Sequence, residues 1–224
     1  DSHTGMWAAM LATLAGDRNL RVRMLTASSC PVTLDPDAYS TYLQPQFRKA
    51  CRDWREAVVR ELAADPDVAV VFVSGHVEGQ KRIGPDGTWE VATPQGFADA
   101  WVALAAAGKQ VVVINDVPFL PVSLPDCLAI KGSGPDACAF PRKPPERTDL
   151  FARAARLADN SSVHFIDLDD VFCQGDTCHP IVGGVPAYLD QGHISAPFAR
   201  SAVWKFDPLM DAFGFLKSVA VLDP

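Results

Sequence analysis

The sequence predicts an α/β fold in which a central parallel sheet carries helices on both faces. Three observations predict it. Residues 68–73 (Val-Ala-Val-Val-Phe-Val) and 111–114 (Val-Val-Val-Ile) are short, continuous and rich in β-branched side chains, as strands buried on both faces are. Stretches with helical apolar spacing lie between such runs, so strand and helix alternate along the chain. Each run also leaves into a polar loop, Ser74-Gly75-His76 or Asn115-Asp116, at the strand end where α/β proteins keep their chemistry.

In chain order, Met6, Met10, Leu11 and Leu14 recur at helical spacing directly after Ser2, and Gly16 stops the run. Residues 22–26 read as a strand entering the polar loop Ala27-Ser28-Ser29-Cys30-Pro31. A helix then carries Phe47, Cys51, Trp54, Val58 and Leu62 on one stripe. After the 68–73 strand, residues 78–92 hold Gly79, Gly84, Pro85-Asp86-Gly87 and Trp89, a turn-rich excursion with the character of a hairpin. Thr93-Pro94 opens the next helix, which runs through Phe97, Trp101 and Leu104 to Gly108. Beyond the 111–114 strand, residues 119–145 read as a long Pro-rich loop, a candidate wall for a substrate groove. A helix over 148–158, a strand over 163–168 and a loop over 172–188 complete the pattern. Trp54, Trp101 and Trp204 read as core. There are no internal repeats and no linker, so residues 1–224 read as one domain.

Composition excludes some functions. The formal net charge is -7 and the pI about 5.1, whereas a protein that grips phosphate backbones presents a basic face. Nucleic acid is therefore not an expected partner. The small basic cluster Arg142, Lys143 and Arg147 reads as solvated surface. No run approaches the roughly 18 consecutive apolar residues of a membrane span. The six cysteines fall as sequence-local pairs, Cys30 with Cys51, Cys127 with Cys138 and Cys173 with Cys178. That pattern fits disulfides and an oxidising, extracytoplasmic compartment, although spacing alone does not fix connectivity. The rival reading is a metal site on Cys173, Cys178 and His179, which lacks a fourth ligand; no metal is expected.

The chemistry centres on Tyr188-Leu189-Asp190-Gln191-Gly192-His193-Ile194-Ser195. An Asp three residues before a His, across a glycine, makes a tight loop in which the carboxylate holds one ring nitrogen. The other nitrogen is left as a base. Ser195-Ala196-Pro197 starts a helix behind it. A base needs a nucleophile, and Ser2, on which a helix directly begins, is the candidate. The helix amino end would offer N–H groups to a developing oxyanion. This order, Ser then Asp then His, is unlike that of hydrolases whose serine sits in G-x-S-x-G.

Four blocks in order carry a resemblance. They are Asp1-Ser2-His3; Thr26-Ala27-Ser28-Ser29-Cys30-Pro31; Phe172-Cys173 through Cys178; and Tyr188 through Ser195 with its D-x-x-H. In these the sequence resembles the SGNH (GDSL-like) hydrolase superfamily, and more narrowly the SGNH domain that follows the multi-span membrane domain of bacterial acyltransferase-3 proteins. The resemblance implies a three-layer flavodoxin-like fold with Ser2 as nucleophile, His193 as base and Asp190 as orienter. It implies an extracytoplasmic domain of a longer, membrane-anchored protein that transfers a short acyl group, acetyl or succinyl, to a cell-envelope glycan. The membrane domain would draw on a cytoplasmic donor such as acyl-CoA, and no cofactor is expected in this domain. An O-acyl esterase, and a degenerate glycan-binding module presenting substrate to the membrane domain, are the alternatives.

The second block has Ser29 where the family has an oxyanion glycine, and the third block's Asn is absent after the 68–73 strand. Ser29 and Gly75 are thus the oxyanion candidates, and Asn115-Asp116 reads as a strand-end turn. His3, His76 and Trp89 are candidate substrate contacts, Trp89 by stacking on a sugar face. His164 and His179 read as structural. Residues 217–224 have strand-like character and are a candidate for pairing near the Ser2 turn, where the family carries an apolar strand ahead of the serine.

Overall fold

The structure, a computed structural model, describes residues 1–132, 134, 136–143 and 149–217. The expected sheet forms. Strand β2 (Val70–Val73) pairs in parallel with β5 (Gln110–Ile114), and β5 with β7 (Val163–Ile166), so the order is β2-β5-β7.

Period-two alternation along β5 divides the core. Val111 and Val113 face a cluster with Val59 of α3 (Arg48–Ala64), Phe97, Trp101 and Leu104 of α4 (Gln95–Ala106), and Phe151 of α6 (Leu150–Ala158). Val112 and Ile114 face the opposite cluster. There Met10 and Leu14 of α2 (Ala8–Gly16) meet Phe198 of α8 (Ala196–Ser201) and Met210 of α9 (Asp207–Ala212). Helices therefore cover both faces of a parallel sheet, as the apolar runs required. Trp101 is fully buried between Phe97 and Phe151, with ring centroids 6.5 and 5.6 Å away.

Smaller antiparallel pieces sit at the edges. Strand β1 (Ala38–Ser40) pairs with β3 (Gln80–Ile83), and β3 with β4 (Trp89–Val91), so the 78–92 excursion is a hairpin. The buried guanidinium of Arg55 supports this corner by donating to the carbonyls of Ala38 and Asp35. All three cysteine pairs are disulfides, Cys30–Cys51, Cys127–Cys138 and Cys173–Cys178. The last bond uses both sulfurs that a metal at Cys173, Cys178 and His179 would need, and His179 Nδ1 lies 3.0 Å from Asp136 instead.

Several expectations are corrected. Residues 119–145 are not one loop, because helix α5 (Leu124–Lys131) forms inside them, its first amides capped by the Ser123 hydroxyl, which accepts from Asp126 N. The prolines obscured it, yet Pro125 sits in the first turn, where proline is tolerated. The 172–188 stretch is likewise structured: α7 (Asp169–Phe172) runs into strands β8 (Cys173–Gln174) and β9 (Thr177–Cys178), β9 pairs with β6 (Phe140–Pro141), and β10 (Ile181–Val182) with β11 (Val185–Pro186). Trp204 is 58% exposed and not core, with Lys205 Nζ 5.0 Å from its ring. Residues 22–26 carry no strand ladder; residues 22–25 line a cavity together with β2. Thr148, Arg147 and the candidate pairing segment beyond Lys217 lie outside the described residues.

Truncating Trp101 to alanine removes a side chain whose surroundings cannot collapse onto it. Urea unfolding of Trp101→Ala is expected to show a loss of about 3–5 kcal/mol with an unchanged slope.

Candidate active site

The turn that carries Ser2 is built by its neighbours. Helix α1 (Ser2–Gly5) is capped by Asp1, whose Oδ1 accepts from His3 N at 3.0 Å. The other carboxylate oxygen accepts from His76 N at 3.1 Å, beyond the end of β2. Thr4 Oγ1 donates to the Ser74 carbonyl at 2.6 Å. One acidic cap and one hydroxyl thus staple the Ser2 turn to the carboxyl end of the sheet, and Ser2 itself is exposed.

The D-x-x-H loop is equally determined. Asp190 Oδ1 accepts from the amides of Gly192 and His193, both at 2.8 Å, and Oδ2 lies 2.8 Å from His193 Nδ1. Burial pushes the Asp190 carboxyl up, but those two amides and the imidazole outweigh it and hold it below its ordinary value. With the proton on Nδ1, His193 Nε2 is an acceptor, and Ser2 Oγ stands 2.9 Å from it. Ser2, His193 and Asp190 therefore form a continuous hydrogen-bonded chain joining the two ends of the sequence.

The loop is braced from behind. Tyr188 and Ile194 form a bridge, and Leu189 N donates to His193 O at 2.8 Å. The 118–124 segment supports it, with Leu120 N donating to Gln191 O at 2.8 Å and the buried Tyr188 hydroxyl donating to Pro118 O at 2.7 Å. The Ser195 hydroxyl accepts from Phe198 N and starts α8, as expected.

Sequence reasoning passed over one central residue. Asp116, at the end of β5, is not a simple turn: Oδ1 lies 2.7 Å from His3 Nδ1 and Oδ2 accepts from Val77 N at 2.9 Å. It ties the α1 histidine to the segment after β2. Its position at a strand's carboxyl end was the available signal, the same one that marked Ser74-Gly75-His76. His3 lies deeper than the other candidate contacts. Its side chain is 4% exposed, and its ring packs 4.7 Å from that of His193 and 4.6 Å from that of His76.

His76 is half-buried and stacks on Phe119 at 5.7 Å and on the exposed Tyr42 at 5.8 Å. Trp89 is 43% exposed, but Arg48 already covers one face at 5.1 Å. Gly75 is buried against the Asp1 carboxylate, while Ser29 occupies a left-handed turn with φ 55°. His164 bonds Gln110 inside the sheet. Among the described residues, no group of three or more His, Cys, Asp or Glu is placed to hold a metal ion.

The fold and site define a class: an α/β domain presenting a Ser–His–Asp chain at the carboxyl ends of parallel strands. The chain belongs to the SGNH family, the SGNH domain fused to AT3 domains, whose family model matches residues 1–208. Its structure is similar to the periplasmic domain of a lipopolysaccharide acetyltransferase from Salmonella ser. Paratyphi A, at TM-score 0.62 and 14% identity. The match covers 94% of this chain and 81% of that one. A search of curated proteins finds no match.

Two predictions follow from this geometry. A Cβ on Gly192 would collide with the Phe119 ring and approach His3 Cε1 at 3.3 Å. Gly192→Ala should therefore displace the His193 loop, visible as shifted imidazole resonances in NMR spectra while far-ultraviolet circular dichroism stays unchanged.

Burial, the largest influence, holds His76 below its ordinary value, with His3 and His193 acting the same way and Asp116 and Glu78 opposing. The unfolded chain thus takes up the His76 proton first, so stability should fall as pH drops through about 6.5. Melting curves from pH 8 to 5 should show a shallower decline for His76→Asn.

Proposed function

We propose that this domain is a serine-dependent O-acyltransferase that carries a short acyl group through an acyl-Ser2 intermediate to a cell-envelope polysaccharide. The observation that supports it is the hydrogen-bonded chain Ser2 Oγ, His193 and Asp190 at 2.9 and 2.8 Å.

In the first half-reaction His193 Nε2 takes the Ser2 proton as Oγ bonds to the acyl carbonyl carbon. The carbonyl π pair moves onto oxygen. When that pair returns, the bond to the leaving group breaks and His193 returns the proton to it. In the second half an acceptor hydroxyl of the glycan gives its proton to His193 and attacks the acyl-serine. Collapse then releases Ser2, which recovers the proton. Asp190 stabilises each imidazolium and fixes its tautomer. Backbone N–H groups at Gly75 and Ser29 are the proposed oxyanion donors. Gly75, beside the cap of the Ser2 helix, has the better-supported position.

The acyl donor side belongs to an AT3 membrane domain, supported by the fusion that defines the family. That domain would draw on a cytoplasmic acyl donor such as acyl-CoA. The three disulfides support an extracytoplasmic location. Acetyl is the favoured acyl group, in keeping with the acetyltransferase to which the structure is similar.

Purified protein given a chromogenic acetate ester should release the chromophore and accumulate an acetyl adduct on Ser2 by mass spectrometry. Ser2→Ala and His193→Ala should each lower turnover by roughly 10³-fold or more, and Asp190→Asn by a comparable factor. Equal rates in all four proteins would refute the assignment. Adding glycan acceptors should divert acetyl from water to sugar; if only hydrolysis accelerates, the domain is an esterase.

A further inference from the structure

Tyr42 is 68% exposed, the most open aromatic ring among the described residues. A single exposed ring needs no explanation, so its setting has to carry the argument. Its backbone is fixed: Thr41 N donates to Gly79 O and Leu43 N to Ser40 O, both at 3.0 Å, and Leu43 is buried in a cluster with the Cys30–Cys51 disulfide. The ring itself lies in an offset stack on His76, with planes 27° apart. Among the described residues no other ring or cation packs on it.

His76 is held as firmly, its N–H donating to Asp1 and its carbonyl accepting from Gln80 Nε2 at 2.8 Å. Its ring stacks on His3, whose ring packs on His193. Two imidazoles therefore separate Tyr42 from the base. On the other side Phe119 meets both His76 and the Gly192 turn, and Lys143 Nζ stands 5.1 Å from the Phe119 ring. Lys143 also donates to both carboxylate oxygens of Glu78 at 2.9 Å.

A rigid aromatic face suits the C–H face of a sugar ring, and it costs little entropy to present. The ion pair beyond it offers N–H donors and carboxylate acceptors together, which is what hydroxyl groups need. Its charges cancel, so a uronic acid or a nucleotide phosphate finds no uncompensated cation there. Trp89 lacks this setting, because Arg48 already lies over its ring.

We infer that Tyr42 is the stacking platform for a neutral pyranose of the acceptor glycan, adjoining the sugar acylated at Ser2, with Lys143 and Glu78 reading its hydroxyls. The inference rests on the acyltransferase reading of Ser2, His193 and Asp190. It makes Tyr42 a specificity-determining residue. A monosaccharide seated at Ser2 does not reach across two imidazoles, so longer acceptors gain contacts that shorter ones lack.

Binding is tested without chemistry, by titrating maltotriose and mannotriose into Ser2→Ala and following tyrosine ring resonances by NMR. One resonance, absent from the same protein carrying Tyr42→Phe, should shift. With the chromogenic acetate ester as donor, the wild-type protein should favour these trisaccharides over methyl glucoside and methyl mannoside about tenfold as acceptors. Tyr42→Ala and Tyr42→Leu should lose that preference, since leucine is apolar but not flat, and Tyr42→Trp should keep it. No shift of the Tyr42 ring with either trisaccharide would overturn the inference, whatever the ester activity. So would a trisaccharide preference undiminished in Tyr42→Ala, or tighter binding of trigalacturonate or coenzyme A than of both neutral sugars. A shifted Tyr42 ring in a protein whose wild type never acylates Ser2 would leave the platform standing and refute the acyltransferase reading instead.

Discussion

Two acidic side chains, one capping α1 and one beyond the end of β5, hold the site together. Asp1 accepts from the amides of His3 and His76, and Asp116 accepts from the amide of Val77 while engaging the ring of His3. Between them they fasten α1, the segment after β2 and the end of β5 into one unit. Each carboxylate is compensated by backbone donors, which offsets the cost of keeping Asp116 at 8% side-chain exposure. Ser2 is placed by this arrangement and does nothing to create it, so the exposed nucleophile rests on a rigid buried base.

The arrangement also explains two histidines that lie beside the reacting one. His3 fills the space beneath the D-x-x-H loop, close enough to Gly192 that only hydrogen fits there. His76 continues the stack outward to Phe119 and Tyr42. A flat ring is well suited to both positions, because it packs face to face like an apolar group, and that of His3 also meets the Asp116 carboxylate at 2.7 Å. Burial keeps His76 on the neutral side, limiting positive charge beside an imidazole proposed to become cationic during the reaction.

Parts of this were legible in the sequence for physical reasons. The Asp190–His193 pair is local: three residues and a glycine nearly determine its geometry, so the motif carries its own structure. The apolar runs at 68–73 and 111–114 likewise state their burial on both faces. Asp116 was hidden because its partners, His3 and Val77, lie 113 and 39 residues away, and no local pattern separates a turn-forming Asp from one that reaches across a sheet end. Helix α5 was hidden because Pro125 reads as a breaker unless Ser123 is recognised as the cap. Trp204 shows the limit of composition, since a large aromatic on a short terminal turn can lie on the surface with a cation over its ring.

The expected strand at 22–26 is the most instructive difference. Its side chains have the right propensity, but a strand exists only through its ladder, and residues 22–25 line a cavity opposite β2 and pair with no strand of the described residues. The same space borders the Thr4–Ser74 bond that fastens the nucleophile turn. Fold and site therefore share a boundary. The Ser2 turn is held through Asp1 and Thr4, while His193 is held independently by the 118–124 brace. The two halves of the hydrogen-bonded chain are thus supported by different parts of the molecule, and the 2.9 Å between Ser2 Oγ and His193 Nε2 is the distance at which those supports meet.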